Sequence, residues 1–500
     1  MKILSFFLLL ISLFFVGNIN GQENEPIDTR QIAEVVLNKG LAEIDLGLYP
    51  GTLLMHGMSE LALIQPDDKM LKRTIDLFLK YKTGEIEGRG SFISYQAGGS
   101  GVACLVYKNA APQLAAQVKD AAQRMYEEQK RSSEGILIPH WSKEGMDRIF
   151  IDVAFAVTPY LLYSGLAFDN QEYIDLAVFE TLELFKILRD EKTGLVKQAR
   201  GFSGYGEFSE DNWSRGNGWG AFALAILARD LPEDHPDKKE VEALAKSFFT
   251  AIVNYQDQEG LWHQEMSAPE SYIETSGSGL MLYGLGIMLE EGLLNSKYHH
   301  NFKKGLQAYT SYIGEDGSVS HTCSGCLSPG PNRRGNKEDY INHPWIYNDH
   351  HAFGPVVLAF TQALNLGVNE IEGDFGKYTI SGSPKAPKAY LKIIEGRSIT
   401  WENDRISYRL FGPEVSNKVG SGIDIWVKSV DYPIVDKWYK LNAEGKNYHT
   451  DRGEGYDFYD VGKNRGCGGL AIWHNNKPFV SETYNQLTIN LKSLKTRMMP

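Results

Sequence analysis

The stretch NWSRGNGWGAFALAILARDL (residues 212–231) joins a glycine-rich start to an uninterrupted helical segment. Glycine inside a helix costs roughly 0.5–1 kcal/mol relative to alanine, so three glycines in the first turns need a physical reason. Either a neighbouring backbone passes close to this helix, or a ligand approaches its start. From residue 221 onward the segment is apolar on nearly every side, which is typical of a helix buried among other helices.

Segments of this kind alternate along the chain with amphipathic ones. The apolar segments are six in number, and most open with small residues: 50–63, 98–107, 152–167, 215–228, 276–289 and 351–364. The amphipathic segments carry apolar residues at i, i+3, i+4 and i+7, and they are also six: 29–44, 68–81, 115–129, 172–188, 241–255 and 298–313. This alternation predicts an all-α (α/α)6 toroid, with the apolar helices packed around an axis and the amphipathic helices facing water.

A short turn motif recurs between these helices. It reads SSEGILIPH (132–140), DEKTGLVKQ (190–198), QDQEGLWHQ (256–264) and GEDGSVSHT (314–322), and it returns about every 60 residues, which marks a repeated supersecondary unit. We expect the inner glycines to leave helix N-termini open toward a central cavity. The repeated loops should line one rim of that cavity with His140, Gln198, His263 and His321.

The texture of the sequence changes near residue 370. A connector rich in Pro, Gly and Ser is followed by alternating strand-like runs such as SITWENDRISYRLFG and GIDIWVKSV. We therefore predict a catalytic toroid over 27–370, a linker over 371–387 and a smaller β-rich domain over 388–500. The ending LKSLKTRMMP does not complete a strand order, so the β domain is expected to be incomplete in this chain.

The N-terminal segment MKILSFFLLLISLFFVGNING (1–21) has a lysine and then an apolar run too short to span a bilayer. It predicts a cleaved signal peptide and an exported protein, periplasmic or secreted. No cysteine directly follows the apolar run, which argues against a lipid anchor, so no membrane anchor is expected. The sequence does not predict an oligomeric state.

Charge and cysteine content exclude several classes of function. The formal net charge is -12 and no basic run occurs, so nucleic acid is a poor partner, whereas an acidic substrate read by a local pocket is compatible. Cys323 and Cys326 form a lone C-x-x-C near His321; without a fourth ligand at recognisable spacing, a disulfide or two free thiols is favoured over zinc. Motifs of zinc proteases, serine hydrolases and phosphate loops are missing from the sequence.

Asp152 is the leading candidate for acid–base chemistry. It lies in RIFIDVAFAV, where apolar neighbours disfavour the charged form and should raise the carboxyl pKa, as a general acid requires. The alternative is a helix-start carboxylate satisfied by Arg148 or by backbone N–H groups.

Arg215 and its two tryptophan neighbours are candidates for ligand binding. A guanidinium beside a helix N-terminus suits a carboxylate, and Trp213 and Trp219 suit the apolar faces of a sugar ring. The alternatives are a salt bridge from Arg215 to Glu210 or Asp211, and tryptophans that only fill the core.

Two further inner-helix starts carry polar residues. YNDHHAFGP (347–355) brings Asp349, His350 and His351 to the sixth inner helix, and YIETSGSG (272–279) brings Glu274 to the fifth. Adjacent histidines point to different sides of a helix and make a poor metal pair. Capping and core hydrogen bonding are the alternatives to a catalytic role for these groups.

With these residues in hand, the chain resembles the unsaturated uronyl hydrolases, glycoside hydrolase families 88 and 105, over roughly residues 30–365. The stretches that carry the resemblance are DEKTGLVKQ, NWSRGNGWG, YIETSGSGLMLYGL and NDHHAFGP, with IFIDVAFAV at the position of the family's catalytic aspartate. The resemblance implies a six-hairpin toroid that removes a terminal Δ4,5-unsaturated uronic acid from oligosaccharides. It assigns Asp152 as acid and base, and Arg215, Trp213 and Trp219 as sugar-binding residues, without metal or organic cofactor.

Two positions depart from the family pattern. The second inner helix starts with Tyr95 and Gln96 where the family has an aspartate, and the loop histidine expected after TGL is Gln198. Both departures favour the related family 154 β-glucuronidases, which would act on a saturated glucuronide. Such an enzyme needs a second carboxylate, with Glu207, Glu210, Glu274 and Asp349 as candidates; about 5 Å separation means retention and about 6.5–9.5 Å means inversion.

The sequence thus predicts an exo-acting glycoside hydrolase that removes a terminal hexuronic acid, saturated or Δ4,5-unsaturated, from acidic plant or algal polysaccharide fragments. Catalysis is assigned to Asp152, Glu274 and Asp349, and substrate binding to the remaining site residues: Trp213, Arg215, Trp219, His140, Gln198, His263 and His351. A polysaccharide lyase with Tyr95 or His351 as base and Arg215 as neutraliser is one alternative. A non-catalytic carbohydrate-binding protein is the other.

Overall fold

The computed structural model describes ten segments of the chain: 26–64, 68–143, 148–326, 336–376, 390–394, 397–403, 405–419, 423–430, 433–458 and 471–480. The predicted signal peptide and the final residues after 480 lie outside these segments. The chain divides into two compact units, Met1–Thr379 and Ile380–Pro500.

The first unit contains both predicted sets of helices. The amphipathic helices are α1 (Thr29–Glu43), α3 (Asp68–Thr83), α5 (Ala115–Glu128), α7 (Gln171–Leu188), α9 (Lys238–Asn254) and α11 (His299–Thr310). The apolar helices are α2 (Tyr49–Ile64), α4 (Ser100–Tyr107), α6 (Val153–Phe168), α8 (Ser214–Asp230), α10 (Thr275–Glu290) and α13 (Phe353–Asn365). A short helix, α12 (Lys337–Ile341), and 3-10 turns at Ile93–Ala97, Pro112–Leu114 and Ser296–Tyr298 complete the helical elements described in the first unit.

The six apolar helices close into a ring. Each contacts the next, from α2 through α4, α6, α8 and α10 to α13, and α13 contacts α2 again. Strand β1 (Ile27–Asp28) pairs antiparallel with β8 (Glu370–Ile371), which joins the beginning of the ring to its end. Nearly every residue of the apolar helices is buried, whereas the amphipathic helices bury one face. The predicted (α/α)6 toroid is therefore confirmed.

The inner helices begin at the same end of the toroid. Near the starts of α2 and α13, the Tyr49 hydroxyl lies 2.5 Å from His351 Nε2. Near the starts of α8 and α10, Arg215 Nη1 donates to Ser276 Oγ at 3.1 Å. We call this end the N-terminal face, defined by the first residues of the inner helices: Tyr49, Ser100, Val153, Ser214, Thr275 and Phe353.

The opposite end of the ring is closed by a buried ionic network. Glu60 Oε1 accepts a hydrogen bond from the Tyr283 hydroxyl at 2.6 Å and lies 3.2 Å from Arg229 Nη2. Asp230 accepts from Arg229 Nε at 2.9 Å and from the Tyr163 hydroxyl at 3.0 Å. Because these charges are paired with one another, this end carries a structural network, and the chemically open end is the N-terminal face.

The glycines that the sequence singled out have two separate purposes. In the four repeated turns Gly135, Gly194, Gly260 and Gly317 have φ of 90°, 74°, 117° and 82°, a conformation that side chains rarely adopt. Gly277 of α10 packs directly against the backbone of Ser214 in α8, so a Cβ there would overlap that residue. Close approach of a neighbouring helix was one of the two explanations offered above for glycines at the start of an inner helix, and it applies at Gly277.

Three small antiparallel sheets lie next to inner-helix starts. They pair β2 (Ile149–Phe150) with β3 (Ala199–Arg200), β4 (Trp262–His263) with β5 (Ile273–Glu274), and β6 (Thr322–Cys323) with β7 (Trp345–Ile346). Strands β2 and β5 run directly into the segments that start α6 and α10. These pairings fix where the residues before each inner helix lie.

The second unit is built on a five-stranded antiparallel sheet in the order β13-β12-β11-β10-β9. Its strands are β9 (Tyr390–Ile394), β10 (Ser398–Glu402), β11 (Ile406–Phe411), β12 (Ile423–Lys428) and β13 (Gly455–Asp457), with helices α14 (Pro413–Val419) and α15 (Val435–Ala443). Strands β14 (Ala471–His474) and β15 (Lys477–Val480) form a separate hairpin. In the core of the second unit the rings of Trp426 and Trp438 stack with their centroids 5.4 Å apart. The smaller β domain expected from the sequence is therefore present. No helix in the described part of the chain is long and apolar enough to cross a bilayer.

Candidate active site

Asp152 lies at the N-terminal face, directly before α6. The β2–β3 pairing holds it there, since the Ile151 amide donates to the carbonyl of Gln198 at 2.9 Å. Its side chain makes no capping hydrogen bond to the helix, and Oδ2 is buried with no hydrogen-bond partner among the described residues. Arg148 instead donates to the Gly201 carbonyl at 3.4 Å. Arg148 is therefore not the partner of this carboxyl, and the unpartnered Oδ2 distinguishes it from a fully satisfied helix-start carboxylate.

The surroundings of Asp152 tune its acidity. Burial raises the pKa of its carboxyl to about 6, and the negative charge of Asp211 adds to this rise. The positive charge of Arg215 and the nearby Trp219 indole act in the opposite direction. The residue keeps some accessible surface, so it is half-buried rather than sealed. A carboxyl that stays protonated up to about pH 6 and reaches an open surface can act as a general acid.

An aromatic wall flanks this carboxyl. The Trp219 ring stacks on Phe155 with centroids 4.7 Å apart, and it meets Tyr49 edge-on at 6.5 Å. Tyr95 lies 6.1 Å from Tyr49 and 6.0 Å from Phe155. Trp219 is 1% exposed, whereas Tyr49 is 36% exposed. Within this wall the open aromatic surface belongs to Tyr49, and Trp219 supports it from behind.

Trp213 lies in a separate cluster. It is 1% exposed and packs with Tyr340 and Cys323, its ring 6.3 Å from that of Tyr340. The Arg215 guanidinium lies over the Trp213 ring at 4.6 Å. These contacts favour the core-filling interpretation of Trp213 over direct contact with a sugar.

Arg215 is buried, and its guanidinium is hydrogen-bonded to the loop that contains Cys323 and Ser324. Nη1 donates to the Cys323 carbonyl at 2.7 Å and Nη2 donates to the Ser324 carbonyl at 2.8 Å. Neither Glu210 nor Asp211 is its partner in the described structure, so the alternative of a salt bridge is wrong. The guanidinium anchors the 323–324 loop and acts on the site through its charge. Direct binding of a carboxylate by Arg215 stays a prediction that requires these carbonyls to be released.

Glu274 is the N-cap of α10. Its carboxylate accepts hydrogen bonds from the Ser276 and Gly277 amides at 3.0 and 2.7 Å, from Ser276 Oγ at 2.5 Å, and from the Cys323 amide at 3.0 Å. Four donors occupy both oxygens of a side chain that has no exposed surface. This geometry favours the capping alternative over the predicted role as second catalytic carboxylate.

Asp349, His351 and Tyr49 form a continuous hydrogen-bonded chain. Asp349 Oδ1 accepts from the His351 amide at 3.0 Å and from His351 Nδ1 at 2.6 Å. His351 Nε2 lies 2.5 Å from the Tyr49 hydroxyl. Burial and the positive charge of Arg215 lower the pKa of His351 to about 4, so the imidazole is neutral near neutral pH. The structure thus brings together the Asp349 and His351 of the sequence prediction and adds Tyr49.

The four repeated loops do not converge as expected. His140 is exposed, with its amide bonded to the Ser91 carbonyl. His263 is tied within its own hairpin to the Ser271 carbonyl and Asp257, and His321 stacks on Trp345 at 4.2 Å. Gln198 is buried and accepts from the Tyr340 hydroxyl. No contact joins these four side chains to one another among the described residues, because each is held by other partners, so the predicted shared rim is not seen.

Three residues at this face were missed in the sequence. Tyr49 precedes an apolar helix and gives no local signal beyond its place at the helix start. Asp211, weighed only as a partner of Arg215, accepts from the Gln198 and Trp213 amides at 3.1 and 3.0 Å and so fixes the start of α8. Tyr340 comes from the short helix α12. Of the remaining carboxylate candidates, Glu207 and Glu210 are exposed.

Metal ligation and disulfide bonding were also compared with the structure. The described segments hold no group of three or more His, Cys, Asp or Glu side chains that could bind a metal ion. Cys323 is a free thiol, so it does not form the disulfide with Cys326 that the sequence left open. Cys323 Sγ accepts from Gln264 Nε2 at 3.1 Å.

Comparison with known proteins gives a consistent result. A family model described as Glycosyl Hydrolase Family 88 matches residues 24–366, and one described as a domain of unknown function, DUF4861, matches residues 365–493. An unsaturated 3S-rhamnoglycuronyl hydrolase of Formosa agariphila is 31% identical over 191 residues, 36% of this chain and 51% of that protein. The unsaturated rhamnogalacturonyl hydrolase YesR of Bacillus subtilis is 27% identical over 225 residues, 44% of this chain and 61% of that protein.

Solved structures share the fold. The crystal structure of a possible member of the GH105 family from Klebsiella pneumoniae superposes with a TM-score of 0.60 at 17% identity, covering 68% of this chain and 93% of that one. The sequence matches above span between about half and three fifths of the two curated relatives.

Proposed function

This chain belongs to glycosyl hydrolase family 88, and from that premise we propose that it is an exo-acting enzyme that removes a terminal hexuronic acid from acidic oligosaccharides, with Asp152 as general acid and base. The observation that carries the proposal is the state of Asp152. Its Oδ2 has no partner in the described structure, its pKa is raised to about 6, and it lies beside an open aromatic surface. A carboxylate in a structural ion pair, in contrast, has its hydrogen bonds satisfied by its partner, and its pKa is lowered.

The first candidate substrate is a Δ4,5-unsaturated uronic acid linked to a neutral or acidic sugar such as rhamnose. The names of the two relatives support this class. In the proposed reaction, protonated Asp152 donates its proton to C4 of the vinyl ether, and the positive charge develops at C5 and the ring oxygen. Water adds to C5 and loses a proton, which gives a hemiketal. The ring then opens and the aglycone leaves C1.

A saturated β-glucuronide is the second candidate, favoured by two side chains. The unsaturated uronyl hydrolases are expected to carry an aspartate at the start of the second inner helix. In this chain Tyr95 and Gln96 lie there instead: Tyr95 contributes a ring to the aromatic wall, and the Gln96 side chain accepts a hydrogen bond from Arg124. Gln198 stands in place of a histidine and is buried against Tyr340. On such a substrate Asp152 would protonate the glycosidic oxygen. We also propose that the enzyme is exported, periplasmic or secreted, from the character of residues 1–21.

A two-substrate assay tests the proposed function. The protein is incubated separately with an unsaturated and a saturated uronide disaccharide. Loss of the absorbance of the 4,5-double bond indicates hydration, and release of free glucuronate indicates a glucuronidase. Gain of that absorbance on a longer acidic polysaccharide identifies a lyase, and binding without any turnover identifies a carbohydrate-binding protein. Either of the last two results refutes the proposal.

A further inference from the structure

We propose that Tyr49, His351 and Asp349 form a proton relay that takes the proton of the attacking water and returns it to Asp152, so that Asp152 acts directly as the acid and, through the relay, as the base. The inference rests on the proposed function. It adds one catalytic residue, Tyr49, and two positioning residues behind it. The three side chains come from the first and last inner hairpins of the toroid.

The hydrogen-bond directions follow from the chemistry of the groups. Asp349 Oδ1 accepts from the His351 amide, so the carboxylate is an acceptor, and the 2.6 Å contact to Nδ1 places the imidazole proton on Nδ1. Nε2 of a neutral imidazole then carries a lone pair. The Tyr49 hydroxyl, 2.5 Å away, donates its proton to that lone pair. The Tyr49 oxygen keeps its own lone pairs for a donor on the substrate side.

Exposure distinguishes the members of the chain. Asp349 and His351 are 8% and 7% exposed, whereas Tyr49 is 36% exposed. The Tyr49 ring also belongs to the aromatic wall, 6.5 Å from the Trp219 ring that lies beside Asp152. The relay therefore ends at Tyr49, the most exposed of its three residues, on the same face as the general acid, and its two inner members are shielded from water.

The charges around the relay keep it ready to accept a proton. Burial opposes ionisation of Asp349, but the hydrogen bond from His351 and the charge of Arg215 outweigh it and lower the Asp349 pKa. Burial raises the pKa of Tyr49, so the phenol stays protonated and accepts a proton only by passing its own to His351. The titratable and charged groups that act on His351 are Arg215, Asp349, His350 and Tyr49.

The proposed step conserves atoms and charge. After Asp152 has protonated C4, the water oxygen forms a bond to C5 and one water proton moves to Tyr49 Oη. The Tyr49 hydroxyl proton moves to His351 Nε2, and the imidazolium is stabilised by the Asp349 carboxylate at Nδ1. Asp152 has lost one proton and His351 has gained one. Return of that proton through Tyr49 and solvent to Asp152 restores the enzyme.

A purely structural role is the competing interpretation, because the same bonds tie α2 to α13 across the closure of the ring. Tyr49→Phe separates the two roles, since it keeps the ring and removes the hydroxyl. Tyr160→Phe is the matched control: its buried hydroxyl on α6 donates to the Val118 carbonyl at 3.2 Å. Each variant is checked by its melting temperature before kinetics are measured on the substrate that the wild type turns over.

We expect Tyr49→Phe to lower kcat by about 10²-fold or more, with KM changed by less than about threefold, because base catalysis acts on the transition state. The pH profile provides the second readout. The wild type should show a bell with limbs near pH 4, where His351 becomes charged, and near pH 6, where Asp152 ionises. Tyr49→Phe should lose the lower limb, and Tyr160→Phe should keep wild-type kcat and both limbs.

Asp349→Asn keeps an acceptor oxygen but removes the negative charge that stabilises the His351 imidazolium at Nδ1. We expect it to lower kcat by about 10-fold or more at unchanged melting temperature. It replaces Tyr49→Phe as the test if the latter does not fold. Normal kcat and an intact lower limb in a folded Tyr49→Phe or Asp349→Asn variant, alongside an inactive Asp152→Asn, would overturn the relay and leave the proposed function standing. A wild type inactive on both uronides would overturn both.

Discussion

Asp152→Asn is expected to abolish turnover while making the protein more stable above pH 6. Asparagine has nearly the size of aspartic acid and keeps an oxygen for the neighbouring Trp219 indole, but it has no acidic proton. General acid catalysis contributes typically about 10²–10⁴-fold to a rate, and we expect the loss to reach the upper end of that range because the neighbouring buried carboxylate, Asp211, is occupied by the Gln198 and Trp213 amides.

The effect on stability follows from the pKa of the carboxyl. The native-state value is raised from 3.8 to about 6, which corresponds to about 3 kcal/mol at most, and less because the residue keeps some accessible surface. Between about pH 4 and pH 6 the native state binds the proton that the unfolded state releases, so wild-type stability falls as pH rises through this window. Above pH 6 the full penalty is present, and below pH 4 it is absent.

The measurement pairs turnover with melting curves at pH 4 and pH 7.5. We expect Asp152→Asn to melt up to about 4 °C higher than the wild type at pH 7.5, for a unit of this size, and at the same temperature at pH 4. Asp76→Asn, on the exposed face of the outer helix α3, is the control that should change neither quantity. An Asp152→Asn variant that melts earlier at pH 7.5 while its folded fraction still turns over would show that the carboxylate is structural and ionised.

Four other changes test the remaining assignments. Arg215→Lys should lose its hydrogen bonds to two loop carbonyls, with an expected cost of about 1.5–3 kcal/mol and faster proteolysis of the 323–326 loop; unchanged melting would contradict the anchoring role. Glu274→Gln should lower the melting temperature, by a cap loss of about 1–2 kcal/mol, but keep turnover; lost turnover in folded protein would restore its catalytic assignment. Burial raises the pKa of Glu180 to about 8, so wild-type stability should decline as pH rises from about 4.5 to 8, and Glu180→Gln should flatten that decline in a series of melting curves. A chain ending at Thr379 should keep wild-type kcat on the preferred uronide, and a folded but inactive toroid would show that the second unit contributes to the site.

The toroid could be predicted because the spacing of apolar residues along each helix shows which of its faces are buried. An all-round apolar segment such as 215–228 has no solvent-facing side, and the alternating amphipathic segments supply one, so twelve helices of two kinds leave few arrangements. The repeated glycines were equally readable, since each turn requires a positive φ. Asp152 followed from the same logic, because a carboxylate in an apolar run must be either satisfied or strained.

The roles of other site residues depend on partners that are distant in the sequence. Glu274 looks like a catalytic carboxylate until the Cys323 amide is placed beside it, 49 residues away. Trp213 and Trp219 are separated by fewer than two helical turns, yet one packs with Tyr340 and the other with Phe155. No local pattern distinguishes these surroundings, which is why the sequence predicted contact with a sugar for both tryptophans.

Tyr49 shows the limit most clearly. Its hydrogen bond to His351 joins residues 302 positions apart in the sequence. The residues around Tyr49 therefore give no indication that its hydroxyl has a polar partner. The sequence did single out Asp349 and His351, because two polar groups before an apolar helix are unusual. Their purpose becomes visible when the ring closes and brings the first inner helix against the last.

Closure of the ring also sets the time at which this protein can first work during its synthesis. The pairing of Ile27 with Ile371, and of Tyr49 with His351, cannot form until the ribosome has passed the last inner hairpin. At roughly 5–20 residues per second, the ribosome needs about 4–15 s to pass from the end of the fifth apolar helix at Glu290 to the end of the sixth at Asn365, and during this time the sixth is missing. Such a chain is without activity and exposes surface that chaperones bind. If the chain is exported unfolded, as the proposed signal peptide implies, this late completion would let the toroid close only after the whole of it has crossed the membrane.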